Sequence, residues 1–504
     1  MITHFHGRRL PEPGNPAGYA WIVDTYNLQV PMPPRLMAVA DRHSPVSTDD
    51  WIMLRSRQQP KDNLIGHLQL AFRYEGINLS VLDRLFQVVP AEEITEMVQH
   101  RVTGTFSRRL WFIYEWMTGA RLDLPDLGKV KYVSILDEEL HYTGIIVENS
   151  ARHKIHDNLP GTPAFCPTVR RTPELFHLLE VRNLTDEASA AAGRVPEDLM
   201  RRAAAFMLLD DSKASFAIEN EKPTPAQGAR WGQAIGEAGQ HELSVDELNR
   251  LQQIVIGDAR FVRLGIRKEE GFIGSHDRNT MEPIPSHISA RWEDLDSLMA
   301  GLIDYDEISL ARHQHPILTA AVLAFGFVFI HPYVDGNGRL HRYLFHHVLA
   351  RAGFNPSGVV FPISAVILRN IEEYNRVLRA YSGPLLPFID WGGDPKGNVK
   401  IAGETAHYYR FFDATEQATF LARCVQTTID EDLPREVGFL KGYDRFAMGL
   451  SRIVDMPNKE IELLRKFLAQ NDGKLSKRAR GGEFEALSDD EVEQIEQLYA
   501  ESWT

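Results

Sequence analysis

The stretch that decides the fold is HPYVDGNGRLHR, residues 331–342. It follows residues 316–330, an apolar segment of helical length that is too short to span a bilayer and predicts a buried core helix. Pro332 cannot continue the hydrogen-bond ladder of a helix, so this helix should end at His331. A glycine-rich turn comes next, and apolar residues then recur at helical spacing. The stretch therefore predicts two helices joined by a tight corner.

The turn has the composition of an anion-binding site. Gly336, Asn337 and Gly338 tolerate positive φ and let backbone N–H groups point into one concavity, directly before a helix N-terminus. Arg339 and Arg342 lie in the first turn of that helix, where the helix dipole disfavours cations. Because arginine binds phosphate through paired hydrogen bonds, this placement favours a bound polyanion.

Two side chains beside the turn add chemistry to it. Asp335 could hold Mg²⁺ (or Mn²⁺), since such ions use one or two carboxylates together with phosphate oxygens and water. His331, with an ordinary pKa of ~6.5, can take a proton from a hydroxyl at neutral pH. These parts fit phosphoryl or nucleotidyl transfer. A structural corner with a satisfied histidine is the alternative, and a Walker A loop is excluded because no Gly-Lys-Ser or Gly-Lys-Thr follows.

The stretch resembles the motif of the Fic family, H-P-x-x-[D/E]-G-N-G-R-x-x-R, at every fixed position. Tyr333 stands where the family usually has Phe, and a tyrosine can anchor the loop there if its hydroxyl finds a partner. The resemblance implies a protein adenylyltransferase, which moves AMP from ATP onto a hydroxyl of a target protein. It covers roughly residues 206–400.

The resemblance also implies a role for each fixed side chain. His331 would deprotonate the target hydroxyl, Asp335 would bind Mg²⁺, and Arg342 would hold the γ-phosphate of ATP. The α- and β-phosphates would lie on the turn itself, at Gly336, Asn337, Gly338 and Arg339.

An upstream segment, Ser215-x-x-x-Glu219-Asn220, resembles the family's inhibitory motif [S/T]-x-x-x-E-[G/N]. Ser215 and Glu219 are four residues apart and would share a helix face. The resemblance implies an inhibitory helix near residues 211–221, in which Glu219 pairs with Arg342 and takes the space of the γ-phosphate. A solvent-facing glutamate is the alternative.

A short hairpin is predicted before the motif, where Gly and Pro are frequent. Phe272, Ile273 and Gly274, together with Gly265-x-Arg267, resemble the family's flap. Such a flap would clamp an extended target segment by strand addition.

Beyond the motif, Tyr374 resembles the family's adenine-side position, where a second tyrosine is common and Asn375 stands here. A core tyrosine on an amphipathic helix is the alternative for Tyr374.

The expected fold is mainly α, with a Fic-type helical core and a small β-hairpin flap at residues 206–400. N- and C-terminal helical regions, residues 1–205 and 401–504, would flank it, since 504 residues are too many for one core. The prolines between residues 11 and 34 predict irregular structure. Helical periodicity marks residues 79–89, 91–100, 244–256, 292–303, 315–330, 458–470 and 488–500.

Composition narrows the partners. Acidic residues outnumber basic ones by 69 to 55, and the net charge of -14 argues against broad nucleic-acid binding. Residues 474–480 form a small basic cluster that we interpret as a solvated linker, with DNA binding by the tail as a lesser alternative. His153 and His156 lack a third ligand nearby, so a structural role is favoured over a metal site.

The remaining expectations concern the cell. Residues 1–20 lack the apolar run of a signal peptide, so no membrane targeting is expected. Two distant cysteines, Cys166 and Cys424, exclude a disulfide framework and fit a cytoplasmic protein. The expected partner is a protein with an acceptor hydroxyl, auto-modification included, and the oligomeric state stays open, with a homodimer among the alternatives. Transfer of another nucleotide or phosphate-containing group, or a non-catalytic nucleotide-binding regulator, are the alternative functions.

Overall fold

The computed structural model describes residues 1–42, 44–258, 260–356 and 359–503. Helices dominate these residues, as the sequence predicts. In chain order the helices are α1 (Tyr19–Thr25), α2 (Leu64–Tyr74), α3 (Leu79–Val88), α4 (Ala91–Gln99), α5 (Thr105–Thr118), α6 (Pro173–Phe176), α7 (Leu184–Gly193), α8 (Glu197–Ala217), α9 (Pro225–Gly236), α10 (Val245–Ile256), α11 (Leu295–Ala311), α12 (Pro316–Ile330), α13 (Asn337–Arg351), α14 (Ile363–Arg369), α15 (Ile371–Leu385), α16 (Ala406–Arg410), α17 (Thr415–Thr427), α18 (Leu433–Leu450), α19 (Asn458–Gln470), α20 (Lys477–Arg480) and α21 (Asp489–Ser502). The strands are β1 (Ile2–Phe5), β2 (Arg8–Ala17), β3 (Leu36–Ala40), β4 (Trp51–Arg55), β5 (Val133–Ser134), β6 (Glu148–Ser150), β7 (Ile155–Asp157), β8 (Phe272–His276), β9 (Pro283–Ile288), β10 (Asp390–Gly393) and β11 (Val399–Ala402).

Helix α12 is the centre of the largest hydrophobic core. Every residue of it after Pro316 is buried, because an all-apolar helix has no face to present to water. It packs against α11, α13 and α17. The helix ends where His331 takes a left-handed conformation with φ of 55°, and Gly336, at φ of 96°, leads into α13. The predicted corner between two helices is thus confirmed.

Helix α8 carries the predicted inhibitory segment and packs against α9, α14 and α18. It starts at Glu197, so the boundary predicted between residues 205 and 206 falls inside a continuous helix. It ends at Ala217, and Glu219 therefore lies in the turn after the helix. The helix predicted near residues 211–221 thus ends at Ala217, yet Ser215 and Glu219 still face the same side chain, because both contact Arg342.

The start of the chain forms a β-sheet. The prediction of irregular structure between residues 11 and 34, within a helical region, is therefore wrong for the residues of β2. Strands β1–β4 form one sheet in sequence order, antiparallel except for the parallel pair β3–β4. Strand β2 contains prolines, which lack the N–H group that a regular ladder uses. The register between β1 and β2 shifts between Ile2 and His4. Pro11 and Pro13 fall within this irregularity, where their missing N–H groups interrupt no regular ladder. A further small sheet, β5–β7–β6, also lies in the region predicted as helical.

The N-terminal region has its own core, and Glu115 on α5 is a polar hub inside it. Its carboxylate accepts hydrogen bonds from Trp111 Nε1 (2.8 Å), Leu122 N (2.8 Å), Arg152 Nη2 (2.9 Å) and His153 Nε2 (2.9 Å). Burial alone would raise the pKa of Glu115, but the bonds from Arg152, Trp111 and Leu122 lower it to about 2. We call these five residues the Glu115 cluster, and they explain why His153 is structural.

The C-terminal helices α19 and α21 share a small core of their own with α18. The basic cluster between α19 and α21 is partly neutralised, because Lys474 pairs with Glu496 at 2.9 Å and Arg480 pairs with Asp489. Strands β10 and β11 form a hairpin across the boundary predicted at residue 400. Within the described residues, no helix has both the length and the apolar composition to cross a membrane.

Candidate functional site

The turn between α12 and α13 is held in shape by Asn337. Its Oδ1 accepts a hydrogen bond from Tyr333 N (3.0 Å) and its Nδ2 donates one to Tyr333 O (2.8 Å). The Asn337 side chain is buried and fully used by the loop, so only its backbone N–H is left for an anion. Tyr333 is buried as the motif requires, and its hydroxyl donates to Asn249 Oδ1 at 2.9 Å.

The carboxylate of Glu219 lies on the first turn of α13. A Cβ added to Gly338 would come within 2.0 Å of Glu219 Oε1, so no larger residue fits beneath this carboxylate. A negatively charged group therefore occupies the place where backbone N–H groups and the helix dipole favour an anion.

The Arg342 side chain forms hydrogen bonds to the predicted inhibitory segment. Its Nε donates to Ser215 Oγ (3.2 Å), and its Nη2 donates to Ser215 O (2.6 Å) and to Glu219 Oε1 (2.9 Å). The contact between Glu219 and Arg342 that the resemblance implies is thus present. The guanidinium is 1% exposed, and its Nη1 has no hydrogen-bond partner among the described residues. A buried donor without a partner is costly, so an anion at this place would gain a hydrogen bond.

Arg339, one turn nearer the helix start, is held by acidic residues on both sides. Its Nη1 donates to Glu221 Oε2 (2.6 Å) and its Nη2 to Asp335 Oδ1 (3.2 Å), while the guanidinium carbon lies 5.3 Å from the Phe216 ring centroid. Sequence reasoning missed Glu221. The signal was present, since Glu221 follows Glu219 by two residues and the motif offers two arginines.

Asn220 explains how both glutamates reach the arginines. It has φ of 58°, a left-handed conformation that Gly and Asn adopt most readily. The N–H of Glu221 then bonds Phe216 O at 3.1 Å, which closes the end of α8. The reversal places Glu219 and Glu221 side by side over the start of α13. This gives a physical reason for Gly or Asn at the last position of the motif that residues 215–220 resemble.

His331 lies at the rim of the turn with a neutral imidazole. Burial and the neighbouring His287 and Arg267 hold the pKa of His331 well below its usual range. Its Nδ1 lies 3.2 Å from Val328 O. Because a carbonyl oxygen can only accept, Nδ1 carries the proton and Nε2 is the free acceptor.

Arg267 fixes the backbone around His331. Its Nε donates to His331 O at 2.8 Å, and its remaining nitrogens donate to Glu269 O and Ala290 O. Arg267 N also donates to Pro332 O at 2.9 Å. The flap and the end of α12 are thereby joined through one buried guanidinium.

Asp335 is the residue that fits a metal ion. Its side chain is 45% exposed at the mouth of the turn, and its Oδ1 accepts from Gly336 N at 2.5 Å and from Arg339. Over the described residues, His, Cys, Asp and Glu nowhere gather in threes that could hold a metal ion. One exposed carboxylate nevertheless suits Mg²⁺, which takes most of its ligands from phosphate and water.

The predicted flap is the antiparallel pair β8–β9, with a register shift between Ile273 and Gly274. Gly274 is needed there, because a Cβ would come within 2.2 Å of Ile284 O. Ile273 is exposed, and β8 pairs with no strand other than β9 in the described part of the chain. The β10–β11 hairpin supports the flap, with a 2.7 Å contact between His276 Nε2 and Gly397 O that the sequence did not reveal.

Tyr374 lies in the hydrophobic core and not on an open pocket wall. Its buried ring contacts Phe325, His341 and Phe420, with centroid distances of 6.4, 5.9 and 6.0 Å. Burial raises the pKa of Tyr374 to about 12. Tyr374 also interacts electrostatically with Arg342 and Glu219, and its adenine-side role stays a prediction.

The fold and site together define a mainly α protein with an anion-binding turn, a neutral histidine and two buried arginines. Residues 242–349 match the sequence model described as "Fic/DOC family", and this segment of the chain is therefore a Fic domain. The match includes the whole 331–342 motif and the flap. It stops before Tyr374.

Similar proteins carry related names. "Protein adenylyltransferase fic-1" of Caenorhabditis briggsae is 30% identical over 153 residues, which cover 30% of this chain and 26% of that protein. "Protein adenylyltransferase Fic" of Nematostella vectensis is 27% identical over 207 residues, 40% of this chain and 37% of that protein. The chain thus spans about a quarter to two fifths of the length of these relatives.

Solved structures with a similar arrangement include a Fic family protein from Desulfovibrio desulfuricans G20. It has a TM-score of 0.38 and 20% identity, and the alignment covers 63% of this chain and 88% of that one. Fic-1 from Caenorhabditis elegans aligns with a TM-score of 0.34 and 16% identity, over 75% of this chain and 95% of that one.

Proposed function

We propose that this protein is an adenylyltransferase that moves AMP from ATP onto a hydroxyl side chain of a target protein, and that Glu219 inhibits it. The observation that carries the proposal is the Glu219 carboxylate over Gly338, paired with Arg342. A carboxylate on an anion site next to an intact Fic motif stands where a phosphate of the substrate would bind.

His331 acts as the general base. The target hydroxyl oxygen attacks the α-phosphorus of ATP and forms a new P–O bond, while the bond from that phosphorus to the bridging oxygen breaks and pyrophosphate leaves. The hydroxyl proton goes to Nε2 of His331, which is free because Nδ1 faces Val328 O. The lowered pKa keeps the imidazole unprotonated and able to accept at neutral pH.

The phosphates are held by the turn and the two arginines. Backbone N–H groups at Gly336, Asn337 and Gly338 face the α- and β-phosphates, with Arg339 beside them, and Arg342 binds the γ-phosphate through the Nη1 that lacks a partner. Asp335 would hold Mg²⁺, which when bound neutralises charge on the phosphates.

Inhibition follows from competition for Arg342. While Glu219 holds Nη2 at 2.9 Å, a γ-phosphate meets a like charge and a filled space. ATP could then bind only in a pose that misaligns its α-phosphate for in-line attack. The target would lie along the exposed edge of β8, near Ile273, by strand addition.

The direct test is transfer from ATP labelled at the α-phosphate in the Glu219→Gly protein. We expect labelled polypeptide, and we expect His331→Ala in the same background to lose roughly 10²–10⁴-fold in rate. A near-normal rate in the double variant would remove His331 from its role.

Labelled UTP and GTP in parallel separate AMP transfer from transfer of another nucleotide. Preference for ATP supports the proposal. Binding of ATP with Mg²⁺ and no labelling with any nucleotide would indicate a non-catalytic regulator instead.

A further inference from the structure

A second cavity lies between α8 and α13, nearer the start of α8 than Ser215 and nearer the end of α13 than Arg342. Its volume is about 400 Å³, within the range of small-molecule pockets. It is partly open to solvent and is lined by residues of α8, the end of α9, α13 and the described residues that follow α13. Residues that matter for its chemistry are Arg201, Ala205, Leu208, His346, Asn355 and Val359.

Two buried polar atoms of the cavity wall have no partner. His346 Nδ1 and Asn355 Oδ1 make no hydrogen bond with any described residue. The other ring nitrogen, His346 Nε2, lies 2.9 Å from Asp211 Oδ2 and donates to it, because a carboxylate oxygen only accepts. His346 Nδ1 is therefore an unused acceptor, as is Asn355 Oδ1. Unsatisfied acceptors in a cavity wall indicate a ligand that donates hydrogen bonds.

The rest of the wall supplies an apolar surface and a cation. Leu208, Ala205 and Val359 offer apolar contact, and Arg201 is exposed without an ion pair to any described residue. The cavity thus combines acceptors, an apolar floor and one positive charge.

The cavity is linked to the inhibitory segment by Asp211. This buried carboxylate accepts from Ser364 N (2.5 Å), Ser364 Oγ (3.0 Å) and Ala365 N (3.3 Å), so it caps α14 as well as binding His346. Asp211 lies on α8 one turn before Ser215, which binds Arg342. A ligand that fixes the positions of His346 and α8 therefore also fixes the position of the inhibitory segment.

We propose that this cavity binds a small amphipathic anion, with an apolar ring, an N–H donor and a carboxylate or phosphate, and that the ligand strengthens inhibition by Glu219. The regulatory part rests on the proposed function. The direction follows from the Asp211 contact: a ligand that fixes His346 also fixes Asp211 on α8, and so favours the position of α8 in which Ser215 and Glu219 bind Arg342.

Binding is tested first, without reference to transfer. Isothermal titration of the full chain with indole-3-carboxylate should show saturable binding. Indole lacks the anion and 1-naphthoate lacks the N–H donor, so each should bind about tenfold more weakly. No binding of indole-3-carboxylate, or equal binding of all three compounds, would overturn the proposal.

Variants locate the site. Ala205→Trp fills the cavity and should abolish binding, while Ala205→Ser keeps the space and should retain it. Asn355→Leu should remove most of the preference for indole-3-carboxylate over 1-naphthoate. Binding that survives Ala205→Trp places the ligand elsewhere and overturns the assignment.

Coupling is read by hydrogen exchange in residues 211–221, which should slow at saturating indole-3-carboxylate. Transfer by the wild-type chain should fall in parallel, and transfer by Glu219→Gly should not change. If exchange slows but neither wild type nor Glu219→Gly transfers AMP, the proposed function is wrong and the binding site is supported. If AMP is transferred but exchange does not change, the coupling proposed for this cavity is wrong and the proposed function is supported.

Discussion

Two glutamate–arginine pairs in this chain have the same length and opposite settings. Arg152 Nη2 lies 2.9 Å from Glu115 Oε1, and Arg342 Nη2 lies 2.9 Å from Glu219 Oε1. The Glu115 side chain is 12% exposed, whereas that of Glu219 is 36% exposed above an arginine that is 1% exposed.

The difference lies in how completely each carboxylate is used. Glu115 sits within α5 and accepts from neighbours on several sides, so nothing can replace it. Glu219 stands in a turn beyond α8 and holds Arg342 while Nη1 of that arginine stays unpaired. The first pair is structural, and the second is the one that the proposed function requires a phosphate to displace. An ion-pair distance alone does not separate the two roles.

The largest effect is expected from Glu115→Gln. The pKa of Glu115 falls from 4.5 to about 2 in the folded protein. This corresponds to about 3 kcal/mol of stability at neutral pH. Urea unfolding followed by tryptophan fluorescence should show this loss, and transfer activity should not rise. Glu139→Gln, at an exposed position, is the control and should change stability by less than about 0.5 kcal/mol.

Glu219→Gly should raise AMP transfer and leave stability nearly unchanged, whereas Glu115→Gln should lower stability and leave transfer no higher. Freeing Arg342 from one charged hydrogen bond should raise AMP transfer by about 10- to 100-fold, since such bonds contribute about 1.5–3 kcal/mol. The free energy of unfolding should change by no more than about 1 kcal/mol, because the Glu219 carboxylate is partly solvated. Glu221→Gln frees Arg339 instead and is the matched control. Equal transfer by wild type and Glu219→Gly at the same ATP and Mg²⁺ would erase the contrast between the two pairs.

A smaller effect is expected at Asn220. Asn220→Ala places an alanine in the left-handed conformation, which costs about 1 kcal/mol. This substitution should loosen the turn and raise basal AMP transfer severalfold. Gly accepts the same φ, so Asn220→Gly should stay near the wild-type rate. Identical rates in the two variants would show that the turn does not position Glu219.

The smallest effect is the pH dependence of the Glu115 contribution. Its folded pKa is lowered, so the stability it adds is present above the unfolded pKa and is lost as the pH falls through the folded value. The stability difference between wild type and Glu115→Gln should shrink by about 1 kcal/mol from pH 7 to pH 4. A difference that grows on acidification would contradict this assignment.

Sequence reasoning succeeded where local patterns decide structure. The α12–α13 corner, the β8–β9 hairpin and helix α21 follow from proline, glycine and helical periodicity. The motif residues from His331 to Arg342 could likewise be located without coordinates.

It failed where long-range contacts decide. Strand β2 pairs irregularly with β1 around Pro11 and Pro13 and regularly with β3 at Pro16, and composition alone cannot show either pairing. Glu115 and Arg152 are 37 positions apart in the sequence, and Glu221 and Arg339 are 118 positions apart. The burial of Tyr374 depends on how α15 is rotated against the core, which periodicity leaves open.

Intact-mass spectrometry after incubation with ATP and Mg²⁺ tests the central claim most directly. The Glu219→Gly chain should gain the mass of one or more AMP groups, wild type should gain far less, and the Glu219→Gly, His331→Ala chain should gain none. An unchanged mass in all three forms, or equal modification of wild type and Glu219→Gly, would contradict an adenylyltransferase held in check by Glu219.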